Sequence, residues 1–109
     1  MNAITTHVLD TTVGKPAAGV AVTLEQRIDE AWVVKASSAT DADGRCRDLV
    51  PSADDGVYRL TFATGDYLAQ NGRTSIYPVV SITFTCRGDA HYHLPILLSD
   101  NSFTTYRGS

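Results

Sequence analysis

No stretch of this chain stays apolar for anything near the roughly 20 residues that a membrane span needs. Its first residues, Met1-Asn2-Ala3-Ile4, have neither the charged start nor the apolar core of a secretory signal. Basic residues are few as well: nine Lys and Arg stand against twelve Asp and Glu, a net charge of -3. That balance excludes the basic surface a nucleic-acid partner requires and supplies no polybasic patch for a membrane surface. These absences predict a cytoplasmic protein, unless a leader precedes this sequence. Cysteine is limited to Cys46 and Cys86. One disulfide fits the count, but two buried or half-buried thiols in a reducing compartment fit better. With no CxxC and no Cys/His cluster, zinc held through sulfur is disfavoured. There is no internal repeat and no low-complexity segment. At 109 residues the chain predicts one domain, 1–109, large enough to bury about two thirds of its unfolded surface.

What is present is a succession of short strand patterns. Residues 3–9 are rich in β-branched side chains, and alternation sets Ile4, Thr6 and Val8 against Thr5, His7 and Leu9. A turn-forming connection with Gly14, Pro16 and Gly19 follows. Two more strands run over 20–26 and 31–39 around a turn at Asp29-Glu30, with Trp32, Val34 and Ala36 on one face of the second. The polar loop Thr40-Asp41-Ala42-Asp43-Gly44 ends in an Asp-Gly turn signal, and Arg45 stands directly behind it. Residues 51–56 read as another loop. Over 57–64, Tyr58, Leu60 and Phe62 alternate with Val57, Arg59 and Thr61. Asp66 can cap a short helix over 66–71 that stops at Asn71-Gly72. Strands over 79–86, 91–99 and 103–106 complete the chain. Arg87-Gly88-Asp89, which matches a cell-adhesion triplet, reads as a hairpin turn in a chain without a secretion signal. Seven or eight short strands at near-regular spacing predict an all-β protein, an antiparallel β-sandwich with one short helix.

The candidate chemistry lies in three places. In the 91–99 strand, His91, His93, Pro95 and Leu97 share one face, and Tyr92, Leu94, Ile96 and Leu98 form the core face. Pro95 cannot donate a ladder bond, which predicts an edge or bulged strand. Two imidazoles at i and i+2 point the same way, yet no carboxylate or thiolate accompanies them at metal-site spacing, which speaks against a metal. Taken alone, His7 reads as a half-buried strand histidine bonded to a carbonyl, Arg45 as a solvated loop cation, and Tyr106 as a plug at a sheet end. The terminal Tyr106-Arg107-Gly108-Ser109 reads as placed rather than frayed.

A resemblance changes these weights. The run THVLDTTVGKPAAGV, the DADGR loop, the FATGDYL…GRTSIYPVV block and above all HYHLPILLS…TTYRGS resemble the 5-hydroxyisourate hydrolases, also called transthyretin-related proteins, over nearly the whole chain. The terminal Tyr-Arg-Gly-Ser separates those hydrolases from the hormone-carrying transthyretins. The resemblance implies a transthyretin-like sandwich that forms a homotetramer, a dimer of dimers, with substrate sites in a channel between dimers. It implies hydrolysis of 5-hydroxyisourate to 2-oxo-4-hydroxy-4-carboxy-5-ureidoimidazoline without a cofactor. By the same resemblance the catalytic set is His7, Arg45, His93 and Ser109, and His7, Arg45, Tyr106, Arg107 and Gly108 bind substrate. His91 has a supporting or solvent-exposed role. Such chemistry suits these residue types. Histidine titrates near neutrality and can take a proton from water. Arginine stays charged, and its fork of donors fits a planar, carbonyl-rich ring. Gly108 permits close backbone approach, and Ser109 offers a hydroxyl and a carboxylate, either of which orients an imidazole. The competing expectation is a transthyretin-like carrier of small apolar ligands, which needs an apolar channel.

Overall fold

Strand β1, Asn2–Asp10, is the axis of the larger of two sheets. The structure, a computed structural model, describes residues 1–108, and of Asp48 and Pro51 the backbone alone. Burial along β1 alternates strictly. Asn2, Ile4, Thr6, Val8 and Asp10 are buried, while Ala3, Thr5, His7 and Leu9 are half-buried, as a pleated strand with one face on the core requires. On one side β1 pairs in parallel with β8, His91–Ser99, from Ala3↔His91 to Asp10↔Leu98. On the other it takes two partners in succession, the two-residue β2, Lys15–Pro16, and β5, Arg45–Ala53. Strand β9, Ser102–Thr105, lies outside β8. The second sheet is built from β3, Ala21–Ile28, β4, Ala31–Ala39, β6, Gly56–Phe62, and β7, Val80–Cys86, in the order β4-β3-β6-β7.

The two sheets face each other across one apolar core. Ile4, Val8, Tyr92, Leu94, Ile96 and Leu98 meet Val22, Leu24, Tyr58, Leu60, Phe62 and Val80. This is the sandwich expected from the sequence, antiparallel apart from the β1–β8 pair. Cys46 and Cys86 are both buried thiols, with no disulfide between them.

Several local expectations are corrected. Residues 51–53 are not a loop: β5 continues to Ala53. It pairs only with β1, with two register shifts, and a proline is tolerated on such an irregular edge. In β4, Trp32 and Val34 do not share a face with Ala36. A bulge between Leu24↔Ala36 and Glu25↔Val34 switches the parity, so Trp32 lies outside, under the Arg59 guanidinium at 4.3 Å from the ring centroid. Pro95 is not on an edge strand. It sits where the pairing of β8 with the terminal segment is interrupted, between Ile96↔Thr105 and the bridge His93↔Gly108. Arg87-Gly88-Asp89 is not a hairpin turn. It carries the chain from β7 in one sheet to β8 in the other.

The helix α1, Thr64–Gln70, begins at Ala63 with no side-chain cap. Asp66 lies in its first turn. Pro78 takes over part of the capping role, its carbonyl accepting from Gly65 N–H at 3.0 Å. A side chain at Gly65 would stand 2.7 Å from that same oxygen.

Candidate active site

The outer face of β1 and β8 carries the histidines. Parallel pairing in the register Thr5↔His93 and His7↔Pro95 sets Thr5, His7, His91 and His93 on the same side of the sheet. Antiparallel pairing of β5 places Arg45 directly across from His7. The loop before β5 fixes both. Asp41 Oδ1 accepts from the backbone N–H of Asp43 at 2.9 Å and of Arg45 at 3.0 Å, and the Asp43 carbonyl turns back to His7 Nε2 at 2.8 Å. Gly44 makes this turn with φ +77°, and a Cβ there would lie 2.4 Å from the Val8 carbonyl oxygen. Only glycine meets both demands. A carbonyl oxygen can only accept, so His7 Nε2 carries a proton and the lone pair of its neutral form is on Nδ1. The carbonyl bond expected of an ordinary strand histidine is therefore present, and it orients the ring.

His93 is half-buried and held on two sides. Its Nδ1 is 2.8 Å from Thr5 Oγ1. The terminal segment closes on the opposite edge: Gly108 N–H donates to the His93 carbonyl at 2.7 Å, and a Cβ on Gly108 would stand 2.7 Å from His93 Cδ2. Burial first, then the positive charge of Arg45, with His7 and His91 adding to it, pulls the His93 imidazole below its ordinary pKa. The ring is thereby kept neutral near neutral pH, as a general base must be. His91 is exposed and reaches the same Thr5 hydroxyl through Nε2 at 2.8 Å. Thr5, Thr6, Arg45, Arg47, His91 and His93 surround an open cavity of about 290 Å³.

The remaining candidates are placed differently. Arg107 does not line this cavity. Its guanidinium stacks 4.2 Å over the Tyr92 ring and donates to the His91 carbonyl at 3.4 Å. Tyr106 is 54% exposed and also outside the lining. Ser109 lies outside the described residues. Among the described residues no three His, Cys, Asp or Glu gather into a metal-holding group, and no helix is long and apolar enough to cross a membrane. Three lining residues escaped the sequence reading, Thr5, Thr6 and Arg47. The signal for Thr5 was available: alternation already puts it on the face of His7. Nothing local shows that β8 lies next to it.

A two-sheet β-sandwich with a short helix after its sixth strand defines the transthyretin-like class. The HIUase/Transthyretin family model matches residues 4–108, and the chain belongs to that family. It is 45% identical over 116 residues to the 5-hydroxyisourate hydrolase of Caulobacter vibrioides, all of both chains being covered. To the 5-hydroxyisourate hydrolase of Mus musculus it is 41% identical, covering 97% of this chain and 94% of the other. Among solved structures, Klebsiella pneumoniae 5-hydroxyisourate hydrolase superposes with a TM-score of 0.88 at 37% identity over the full length of both chains. Transthyretin from Sparus aurata superposes with a TM-score of 0.92 at 33% identity, covering 96% and 95%.

Proposed function

We propose that this chain hydrolyses 5-hydroxyisourate to 2-oxo-4-hydroxy-4-carboxy-5-ureidoimidazoline. The observation that carries the reading is the placement of His7, Arg45 and His93 on one sheet face, Arg45 and His93 lining a polar cavity and His7, outside that lining, directly across from Arg45, in a chain similar along its length to enzymes of that name. Water attacks a ring carbonyl carbon, its hydroxyl stays on that carbon, the ring C–N bond breaks, and a proton reaches the nitrogen. His93 and His7 take the proton from water and pass it on. The Arg45 fork binds carbonyl oxygens and stabilises the negative charge that develops on the attacked one. An apolar-ligand carrier is disfavoured by the lining, two threonines, two arginines and two histidines. The roles of Tyr106, Arg107 and Ser109 in substrate binding and imidazole orientation rest on the resemblance alone.

A homotetramer, a dimer of dimers, is part of the same proposal. The cavity is open on the outer sheet face that carries Thr5, His91 and His93, a face that a second dimer would cover. A cytoplasmic location is also proposed, supported by two buried thiols not joined in a disulfide. The test is direct: 5-hydroxyisourate is generated from urate by urate oxidase, and its ultraviolet absorbance is followed with and without the protein. Accelerated decay is expected. Decay at the spontaneous rate would refute the reading.

A further inference from the structure

Among the described residues the Thr5 hydroxyl is the one group hydrogen-bonded to the rings of both histidines of β8. Its Oγ1 lies 2.8 Å from His93 Nδ1 and 2.8 Å from His91 Nε2. This follows from register: Ala3 pairs with His91 and Thr5 with His93 in the parallel ladder, so the Thr5 side chain stands between two imidazoles two residues apart. Their ring centroids are 6.3 Å apart, too far for a direct bond and right for a bridging oxygen. A hydroxyl has one proton to give and two lone pairs. It cannot donate to both nitrogens.

We propose that Thr5 is a positioning residue: it accepts from His93 Nδ1–H and donates to His91 Nε2, which holds His93 in the tautomer whose basic lone pair is on Nε2. The inference rests on the hydrolase reading for its consequence in turnover, though not for the tautomer itself. Among the described residues no protein group bonds His93 Nε2. With Nδ1 anchored by Thr5, no described residue competes with water or substrate for that nitrogen. If the proton sat on Nε2 instead, His93 would offer a donor where a base is needed. His91, exposed and with its ring turned to Thr5, supplies the acceptor that keeps the hydroxyl proton away from His93. The chain His93–Thr5–His91 thus does with two neutral bonds what a carboxylate does behind other catalytic histidines, and bonds in series reinforce one another. His7 is fixed the opposite way by the Asp43 carbonyl, with its lone pair on Nδ1. Two imidazoles of opposite tautomer therefore flank the site.

The experiment combines imidazole nitrogen NMR with steady-state kinetics on the wild type, Thr5→Val, Thr5→Ser and His91→Ala. The wild-type spectrum is expected to show neutral His93 protonated at Nδ1. Thr5→Val should shift it toward Nε2–H and lower kcat by about 10–100-fold, part of what a general base contributes, with a smaller change in KM. Thr5→Ser restores the hydroxyl and should restore both the tautomer and turnover. His91→Ala frees the hydroxyl proton and should lower kcat in the same direction by a smaller factor. A wild-type His93 protonated at Nε2, or Thr5→Val with wild-type kcat, would overturn the proposal. Failure of the wild type to consume 5-hydroxyisourate would instead remove the substrate assignment, and the spectrum would still decide the role of Thr5.

Discussion

His93 is confined by contacts that are each small and jointly specific. Thr5 meets one edge of its ring, Gly108 the other, and Arg45 supplies charge without a bond. Substitution of either catalytic imidazole, His7→Ala or His93→Ala, is expected to lower kcat by about 10²–10⁴-fold, roughly 3–5 kcal/mol of barrier, with an unchanged circular dichroism spectrum. Full turnover in both variants would sink the assignment. Gly108→Ala adds a Cβ into the space of His93 Cδ2. It should lower kcat by about 10–100-fold through displacement of the ring while thermal unfolding barely moves; an equal loss of stability would mean that the segment is only structural. The His93 pKa is depressed, so between its folded value and the ordinary imidazole value of about 6.5 the unfolded chain binds more protons. Its contribution to stability is complete above about 6.5 and lost as pH falls through that window. Arg45→Gln removes the largest electrostatic cause, burial remaining, and the His93 ring protons followed by NMR should titrate at higher pH than in wild type.

At the scale of elements, the polar clip at the end of β1 determines how α1 sits on the sandwich. Asp10, fully buried, accepts from Tyr67 Oη at 2.8 Å and from Arg73 Nη1 and Nη2 at 2.6 and 3.0 Å. Arg73 Nε also reaches Asp100 at 3.0 Å, so one guanidinium joins β1, the segment after α1 and the β8–β9 turn. The Arg73 bonds, reinforced by Tyr67 against the cost of burial, hold the Asp10 carboxyl below the usual range. Burial and the bond to Asp10 push the Tyr67 phenol up to about 12. A depressed carboxylate contributes stability above its unfolded value of about 3.9, and that contribution is lost as pH falls through the folded value. Arg73→Ala leaves a buried carboxylate without its cation and is expected to cost about 3–5 kcal/mol in urea unfolding; a loss under 1 kcal/mol would show that the clip is relaxed by water. The sequence reading treated this stretch as helix and loop only. Nothing in the spacing of Asp10, Tyr67, Arg73 and Asp100 announces that they meet.

At the scale of the whole molecule, the site lies on a sheet face that one chain leaves open. The tetramer proposal predicts a sizing-column mass near four chains, and the oligomer should keep its activity on dilution down to the point where it dissociates. A fully active monomer would overturn the shared-channel picture. What the sequence determined by itself was local: strand periods, the face on which each histidine falls, the Asp-Gly turn before Arg45, and, through the terminal Tyr-Arg-Gly-Ser, family resemblance. These were legible because pleat and turn geometry repeat over two to five residues. What the tertiary structure decided was adjacency. That β1 lies in parallel beside β8 and antiparallel to β5, and that Thr5 stands between two imidazoles, depend on pairings 36 to 88 residues apart in the chain, and even the turn of Arg107 to Tyr92 joins the terminal segment to a separate strand, β8. Such contacts are selected by burial of the shared core, and no pattern within a single strand encodes which strand will be its neighbour.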